Sequence, residues 1–320
     1  MKRKLAAMLA MTLGLSMAVT ACGDSSTGTG VDEPAADTTS SDAVAGESGT
    51  DGQAEPAASS DAQVPTEPAE LTVFVAASLN DAMTELSDKY MQMYPNVQIS
   101  LNADSSGTLM TQIEEGAPCD LFFSASEIQM NQMKADGWLI DGTREDVLKN
   151  QLVVITWKGS GTKVTGLENL QEASSIALAA GSVPAGYYTR SALVAMGVLS
   201  GEADDADYEA ADVSKALGGV TVSEQGNVSQ VLQAVAEGSC EVGTAYLSDV
   251  TGHEDKVEIL EKVSTDLTGD ITYPIGCILN HEKDTEAQRT AANAFETYLL
   301  STDAAEVFEK YGFTSLWGSH

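Results

Sequence analysis

Short apolar runs alternate with amphipathic stretches from residue 71 to the C-terminal region of the chain. Runs such as LTVFVAAS (71–78) and VGTAY (242–246) are short and rich in branched or aromatic residues, a pattern that predicts buried β-strands. The same pattern predicts strands at 97–102, 119–125, 151–157, 175–180 and 273–279. Apolar residues at helical spacing predict helices at 79–95, 108–116, 127–137, 185–197, 227–237, 284–301 and 302–311. This alternation of strands and helices predicts an α/β fold with largely parallel sheets.

The N-terminal segment follows a different pattern, in which a basic start, KRK (2–4), precedes an apolar run of about 15 residues (5–19). The run is too short to cross a bilayer as a permanent helix and is typical of a secretory signal. VTA (19–21) followed by Cys22 resembles the cleavage site of a bacterial lipoprotein signal, where the cysteine is lipidated and becomes the first mature residue. We therefore predict a signal peptide at 1–21 and an extracytoplasmic protein tethered by Cys22; the alternative is an ordinary signal with a chance cysteine.

Residues 23–69 contain no aromatic residue, lysine or arginine and are dominated by small and acidic residues. Such a segment cannot bury enough apolar surface to offset its chain entropy, so the lipidated cysteine and the acidic segment (22–69) are predicted to form a disordered tether. The remaining part of about 250 residues is large for one hydrophobic core, which predicts two lobes. The acidic stretch 201–212 predicts a solvated surface loop in the second lobe, with a calcium site as the alternative.

The charge of the chain excludes several partners. Lys and Arg number 16 against 48 Asp and Glu, and the net charge is −32. Removal of residues 1–21, which carry three positive charges, leaves 299 residues and a net charge of −35. A chain this acidic repels nucleic acid and anionic lipid headgroups. We therefore expect no nucleic-acid partner and no membrane contact apart from the lipid.

The chemistry-bearing residues do not form a catalytic or metal-binding motif. Cys119, Cys240 and Cys277 lack metal-ligand spacing, and the three histidines are scattered, so no resident metal is expected. Buried unpaired thiols or one disulfide with one thiol left over both remain open. The sequence contains no nucleophile elbow, phosphate-binding loop or zinc-protease motif.

A different signal recurs, in which a predicted strand is followed by a loop of small residues and the start of a helix. It occurs at 76–78, 104–107, 183–186 and 226–228. Free N–H groups in the first helical turn, together with the helix dipole, bind anions without a charged side chain. Each loop alone could be an ordinary helix cap. Four such loops predict an anion site if the two lobes face each other across a cleft.

Several of these segments carry a family resemblance. TVFVAASLNDAM, NADSSGTLMTQIEEGAPCDLFFSA, SVPAGYYT, GNVSQVLQAV, GTAYLSD and AAEVFEKYGF resemble, in order and spacing, the substrate-binding protein of molybdate ABC transporters. The resemblance covers residues 70–315. It implies the type II periplasmic-binding-protein fold, in which each of two lobes has a mixed sheet flanked by helices and two hinge crossovers join them. Lobe 1 would comprise 70–150 and 250–320, and lobe 2 would comprise 151–249.

The resemblance also implies the ligand and its contacts. Ser78 and Ser106 would bind molybdate through hydroxyl and backbone N–H groups, Ala185 and Val228 through backbone N–H groups, and Tyr246 through its hydroxyl. The implied protein is not an enzyme and needs no cofactor, and its only metal is that of the bound oxyanion. It would act as a monomer that delivers molybdate, and tungstate too, to an ABC permease with a cytoplasmic ATPase.

One position departs from the family pattern. Asp104 stands where a small residue is expected, two residues before Ser106, and we expect its carboxylate to face solvent. The alternative is that it points inward and coordinates the metal of the oxyanion. Other open functions are a receptor for another oxyanion or a small organic anion, a serine-dependent α/β enzyme that uses Ser78 or Ser106, and a lipoprotein adhesin.

Overall fold

The computed structural model describes residues 65–201, 208–279 and 285–317. The predicted signal peptide, Cys22 and most of the predicted tether lie outside these residues, as does the 202–207 part of the acidic stretch. The strands are β1 (Ala69–Ala76), β2 (Val97–Asp104), β3 (Leu121–Phe123), β4 (Glu145–Asn150), β5 (Leu152–Trp157), β6 (Ser175–Ala179), β7 (Thr221–Gln225), β8 (Val242–Tyr246), β9 (Val257–Lys262), β10 (Ile271–Cys277) and β11 (Thr314–Ser315). The α-helices are α1 (Asn80–Met93), α2 (Ser106–Glu114), α3 (Glu127–Ala135), α4 (Pro184–Ala195), α5 (Ala210–Ala216), α6 (Val228–Ala236), α7 (Leu247–Val250), α8 (Thr265–Thr268), α9 (Glu286–Leu299) and α10 (Thr302–Lys310).

The strands form two sheets, one in each lobe. The first sheet has the order β11-β4-β10-β3-β1-β2, and the second has the order β7-β6-β8-β5-β9. The chain passes between them from β4 to β5 and again from β9 to β10. The predicted α/β class, the mixed sheet in each lobe and the two crossovers are therefore confirmed.

Parallel pairing is less extensive than the strand–helix alternation predicts. β1 pairs in parallel with β2 and β3, and β6 pairs in parallel with β7 and β8. The strands next to the crossovers, β4, β5, β9 and β10, pair antiparallel with their neighbours. The expectation of largely parallel sheets is wrong, because strands that return from the other lobe enter each sheet in the opposite direction.

Three predicted boundaries also need correction. β9 is paired with β5, so the second lobe extends to Lys262 rather than ending at residue 249. Residues 65–69 belong to the folded part rather than to the tether, because the Asn96 amide donates to the carbonyls of Pro65 and Glu67 (both 2.9 Å) and β1 begins at Ala69. The last residues of the acidic stretch are not loop, since they start α5.

Helices cover both faces of the first sheet. On one face, Val73 and Val75 pack with Leu79, Met83 and Phe295 in the main core. On the other face, a second cluster lies under α2 and α3, and it comprises Phe74, Leu109, Ile113, Cys119, Phe122, Met130, Met133, Leu139 and Ile278. The three described cysteines are buried free thiols. Within the described residues, no helix is long and apolar enough to cross a membrane.

Candidate functional site

The predicted site residues all lie at or just after the ends of strands that pair in parallel within the two sheets. Ser78 lies just after β1, and Ser106 just after β2. In the second lobe, Ala185 and Val228 lie in helices that follow β6 and β7, and Tyr246 is the last residue of β8. The carboxyl ends of parallel strands share one edge of a sheet, and binding sites of α/β proteins form there. The fold therefore brings helix N-termini from both lobes to one place.

In the first lobe, both serine hydroxyl groups contact other parts of the protein. Ser106 is the first residue of α2 and is fully buried, and its Oγ accepts the Ala125 N–H (2.9 Å). Ser78 lies in the 3₁₀ turn Ala77–Leu79, and its Oγ is 2.9 Å from Tyr273 Oη. The Ser106 proton is not used in that contact with Ala125, so it is available to a ligand oxygen.

In the second lobe, two helix starts supply backbone N–H groups. Val183 caps α4, so Pro184 fills the first position and Ala185 the second. Asn227 caps α6, with its Oδ1 accepting the Gln230 N–H (3.0 Å), and Val228 is the first helical residue. N–H groups at these positions have no acceptor inside their own helix. They are donors for an anion that sits between the lobes.

A fully buried arginine holds the start of α4 in place. Arg190 Nη1 donates to the carbonyls of Ala179 (2.8 Å) and Gly186 (3.0 Å), which ties the helix to the end of β6. Arg190 Nε donates to the Tyr208 carbonyl (2.7 Å), and Nη2 pairs with the Glu224 carboxylate (3.3 Å). Gly186 is required here, because a Cβ would overlap with the Ala180 carbonyl oxygen. Sequence analysis missed this arginine, although a basic residue inside an apolar helix of so acidic a chain was a usable signal.

Tyr246 supplies a buried hydroxyl that has no partner. Its side chain is 1% exposed, and its Oη has no hydrogen-bond partner in the described part of the chain. Burial raises the pKa of the phenol well above its usual range, so the group keeps its proton at neutral pH. A buried, unpaired hydroxyl lowers the stability of the unliganded protein, and it can donate a hydrogen bond to a bound ligand.

The five predicted residues surround one small cavity between the lobes, with a volume of about 10 Å³, comparable to a single water position. The described residues that line it are Ala76, Ala77, Ser78, Ser105, Ser106, Ala125, Val183, Pro184, Ala185, Val228 and Tyr246. None of these described lining residues has a charged side chain. Among the described residues, no cluster of three or more His, Cys, Asp or Glu side chains could hold a metal ion. The arrangement is a set of neutral donors.

Behind Ser78 lies a polar network that sequence analysis did not predict. The Asn150 amide nitrogen, at the end of β4, donates to Tyr273 Oη (3.0 Å) and to Ser248 Oγ in α7 (2.8 Å). Tyr273 is fully buried in β10, and its ring packs edge-on against Tyr246 with centroids 5.9 Å apart. Asn150 stands at one crossover and Ser248 in the second lobe, so the network joins the hinge to the cavity. Sequence separations of up to 195 residues explain why no local motif marked it.

Asp104 occupies neither of its predicted positions. It is partly buried, it does not line the cavity, and its Oδ1 accepts the Ser105 N–H (2.7 Å). The same oxygen accepts the Asn227 side-chain amide of the second lobe (3.1 Å). The carboxylate therefore bridges the two lobes, a contact that neither the solvent-facing expectation nor the ligand-coordinating alternative included.

A glycine permits the lobes to approach beside this bridge. Gly107, the second residue of α2, faces the Ser182 carbonyl of the second lobe, and a Cβ at this position would lie 2.8 Å from that oxygen. Any side chain at Gly107 would therefore push the lobes apart. The close approach of Gly107 to Ser182 and the Asp104–Asn227 hydrogen bond are thus both contacts between the two lobes.

Two α/β lobes with two crossovers and an uncharged donor-lined cavity between them define a two-lobed solute-binding protein. Comparison with known proteins agrees, since the family model for bacterial extracellular solute-binding proteins matches residues 71–314. The chain belongs to this family.

Three similar proteins illustrate the relationship. The chain is 33% identical over 246 residues to YvgL of Bacillus subtilis, described as a candidate ABC transporter substrate-binding lipoprotein, with 77% of this chain and 86% of that protein covered. It is 30% identical over 251 residues to the molybdate-binding protein ModA of Escherichia coli, covering 76% and 88%. A solved substrate-binding domain of a candidate molybdenum ABC transporter from Clostridium difficile superposes with a TM-score of 0.54 at 32% identity, covering 78% and 99%.

Proposed function

We propose that this protein captures molybdate, and tungstate too, outside the cytoplasmic membrane and delivers it to an ABC importer. The observation that carries the proposal is the cavity of neutral donors, in which the Tyr246 hydroxyl is buried without a protein partner. Relatives named as molybdate-binding proteins are similar in sequence to this chain, at 30% identity over 251 residues and 27% identity over 253 residues. Ser78, Ser106, Ala185, Val228 and Tyr246 would supply the hydrogen bonds, and the protein would act as a monomer without a cofactor.

The chemistry of the ligand matches this donor set. Molybdate is a fully deprotonated dianion at neutral pH, so each oxygen accepts hydrogen bonds and none donates. Phosphate carries a proton at the same pH, and a site made only of donors leaves that proton unpaired. Neutral donors also avoid the desolvation cost of a buried countercharge. Selection against sulfate would then rest on the larger size of the molybdate and tungstate tetrahedra.

Two alternatives fit the cavity less well. A serine-dependent enzyme needs a base beside its nucleophile. Ser106 Oγ instead accepts a backbone N–H, and Ser78 Oγ contacts a phenol. A small organic anion is larger than a tetrahedral oxyanion, and the cavity is small. The observed contacts therefore favour a compact inorganic ligand and a binding role.

We propose further that the mature protein is held at the membrane by a lipid on Cys22. The support is the sequence VTAC (19–22) after a short apolar run, together with the similarity to a protein described as a lipoprotein. In the native host, Cys22→Ser should leave an uncleaved precursor or release the protein into the medium. A processed Cys22→Ser protein that still fractionates with membranes would contradict the anchor.

The ligand is tested by titrating the unlipidated mature chain with molybdate, tungstate, sulfate and phosphate in a calorimeter. Molybdate and tungstate should bind, and phosphate should not. At a hundredfold excess of free ligand over the dissociation constant, linkage adds about 2.7 kcal/mol to the free energy of unfolding. A melting temperature that millimolar molybdate leaves unchanged would refute the proposal.

A further inference from the structure

We propose that Asn150, acting through Tyr273, fixes the Ser78 hydroxyl as a donor to the ligand and so determines the rejection of protonated anions. Asn150 is a positioning residue, because it does not line the cavity and reaches it only through two hydrogen bonds. The inference rests on the proposed function, since it explains how a site for a deprotonated oxyanion stays a donor at Ser78.

The direction of the network follows from the orientation of the Asn150 amide. Its oxygen accepts the Gln151 N–H (2.9 Å), which places the nitrogen toward Tyr273 and Ser248. Each of the two amide protons then has one acceptor, Ser248 Oγ at 2.8 Å and Tyr273 Oη at 3.0 Å. The amide nitrogen has no lone pair to offer, so Asn150 cannot accept a proton from Tyr273.

The Tyr273 hydroxyl therefore has one available hydrogen-bond acceptor. Its hydroxyl is fully buried, and burial raises the pKa of the phenol well above its usual range, so it remains protonated. In the described part of the chain, Tyr273 Oη lies within hydrogen-bonding distance of the Asn150 amide and of Ser78 Oγ (2.9 Å). Since the amide only donates, the phenol donates to Ser78 Oγ.

The consequence appears in the cavity. If Ser78 donated to Tyr273 instead, the Tyr273 proton would be left between two donors, at the cost of an unpaired buried group. The Ser78 proton is therefore not used by Tyr273 and is available to a ligand oxygen in the cavity that Ser78 lines. A deprotonated oxyanion accepts it, whereas a protonated anion would present its own O–H to another donor. The rejection of a protonated anion at Ser78 is thus determined by Asn150, a residue at the hinge that acts through one intervening side chain.

Asn150→Asp reverses this relay with little change in shape. A carboxylate accepts the Tyr273 proton, Tyr273 Oη is then free to accept from Ser78, and Ser78 turns a lone pair toward the ligand. At pH 8 the measurement is the ratio of the dissociation constants of phosphate, present mainly as the hydrogen phosphate dianion, and of molybdate. Both anions carry two negative charges, so the added carboxylate affects them alike. We expect the ratio to fall by about tenfold or more, the effect of one hydrogen bond to a charged group.

A double variant separates the relay from other effects of the substitution. In Asn150→Asp/Tyr273→Phe the carboxylate remains but cannot reach Ser78, so the ratio should return most of the way to the wild-type value. Asn150→Ser, whose neutral hydroxyl permits both directions, should give a smaller fall and serves if Asn150→Asp does not fold. Tyr90→Phe removes another buried hydroxyl, one outside the cavity lining, and should leave the ratio unchanged.

The outcomes distinguish the two proposals. A wild-type mature chain that does not prefer molybdate overturns the proposed function and the relay together. A wild-type chain that prefers molybdate, with the same preference in Asn150→Asp and Asn150→Ser, overturns the relay alone. A lowered ratio that persists in Asn150→Asp/Tyr273→Phe also overturns the relay, because the effect would then not pass through Tyr273.

Discussion

Tyr246 carries a hydroxyl that the folded chain buries and leaves without a partner. A buried polar group in this state destabilises the unliganded protein by roughly 1–3 kcal/mol. The same hydroxyl becomes satisfied when an anion enters the cavity. At the residue scale, stability without ligand and affinity for ligand therefore oppose each other at this position.

Tyr246→Phe should show this opposition as two effects of different sign. The free energy of unfolding without ligand should rise by about 1 kcal/mol, and the affinity for molybdate should fall by about tenfold to a hundredfold, the effect of losing one hydrogen bond to a charged group. Urea unfolding and calorimetric titration measure the two quantities.

The matched control is Tyr90→Phe. Tyr90 is 1% exposed and its hydroxyl is also unpaired in the described part of the chain, but it lies in α1 and does not line the cavity. This variant should gain stability without losing affinity. Equal affinities of wild type and Tyr246→Phe for molybdate would remove Tyr246 from the binding site.

At the scale of elements, the site consists of helix starts that meet across a cleft. Three α-helices, α2, α4 and α6, begin at the cavity with residues that supply backbone N–H groups, and the turn Ala77–Leu79 lies beside them. Affinity then depends on how closely α2 approaches the second lobe. The Asp104–Asn227 hydrogen bond and the bare Cα of Gly107 are the contacts that define this approach.

Gly107→Ala should hold the lobes apart. Its Cβ would meet the Ser182 carbonyl oxygen at 2.8 Å, and relieving such a contact costs about 1–3 kcal/mol, which predicts a loss of molybdate affinity of about tenfold to a hundredfold. Stability without ligand should change little, because the clash involves the other lobe and alanine suits a helix better than glycine. Calorimetry and thermal unfolding test both statements.

Gly186→Ala is the informative comparison, because its Cβ would meet carbonyl oxygens within the second lobe itself. This variant should lower the melting temperature even without ligand. If Gly107→Ala bound molybdate as tightly as wild type, the close approach of the two lobes at Gly107 would not be needed for molybdate binding.

At the scale of the whole molecule, two buried carboxyl groups make stability depend on pH. Burial raises the pKa of Glu296, in α9, to about 7. A hydrogen bond from the Cys277 thiol lowers this pKa, and repulsion from Glu145 raises it. Burial likewise raises the pKa of Asp249, in α7, to about 7. The folded state therefore binds protons that the unfolded chain, with pKa values of about 4, has released. The free energy of unfolding should fall as pH rises from about 4 to about 7.

Glu296→Gln should weaken this pH dependence. The amide cannot ionise, so the variant should lose less stability than wild type between pH 5 and pH 8, as measured by urea unfolding at each pH. Glu70→Gln, an exposed position in β1, is the control and should follow the wild-type curve. Parallel curves for wild type and Glu296→Gln would show that the buried carboxyl does not titrate in this interval.

The elements most clearly predicted from sequence are those with strong apolar patterns. β8 has the predicted bounds. Each end of β1, α1, α4 and α6 differs from its predicted position by one or two residues. Four strands were missed. β11 has only two residues, and the other three have mixed patterns: β4 is EDVLKN, β7 is TVSEQ and β9 is VEILEK. β7 and β9 are edge strands of the second sheet, where one side of the strand stays unpaired and polar residues are tolerated. Their pairing, and with it the lobe boundary after Lys262, depends on partners far along the chain.

The sequence by itself determined the α/β class and the two-lobed organisation, because local periodicity and chain length indicate both. The five residues that surround the cavity were implied by the resemblance of short segments to a known family. Only the tertiary structure decided what those residues contact. The Asp104 carboxylate bridges to Asn227, and Asn150 reaches Ser78 through Tyr273, across separations of more than 100 residues. The direction of a hydroxyl proton and the distance between two lobes depend on which residues, distant in the sequence, contact each other in the folded protein. Local sequence patterns do not indicate these long-range contacts.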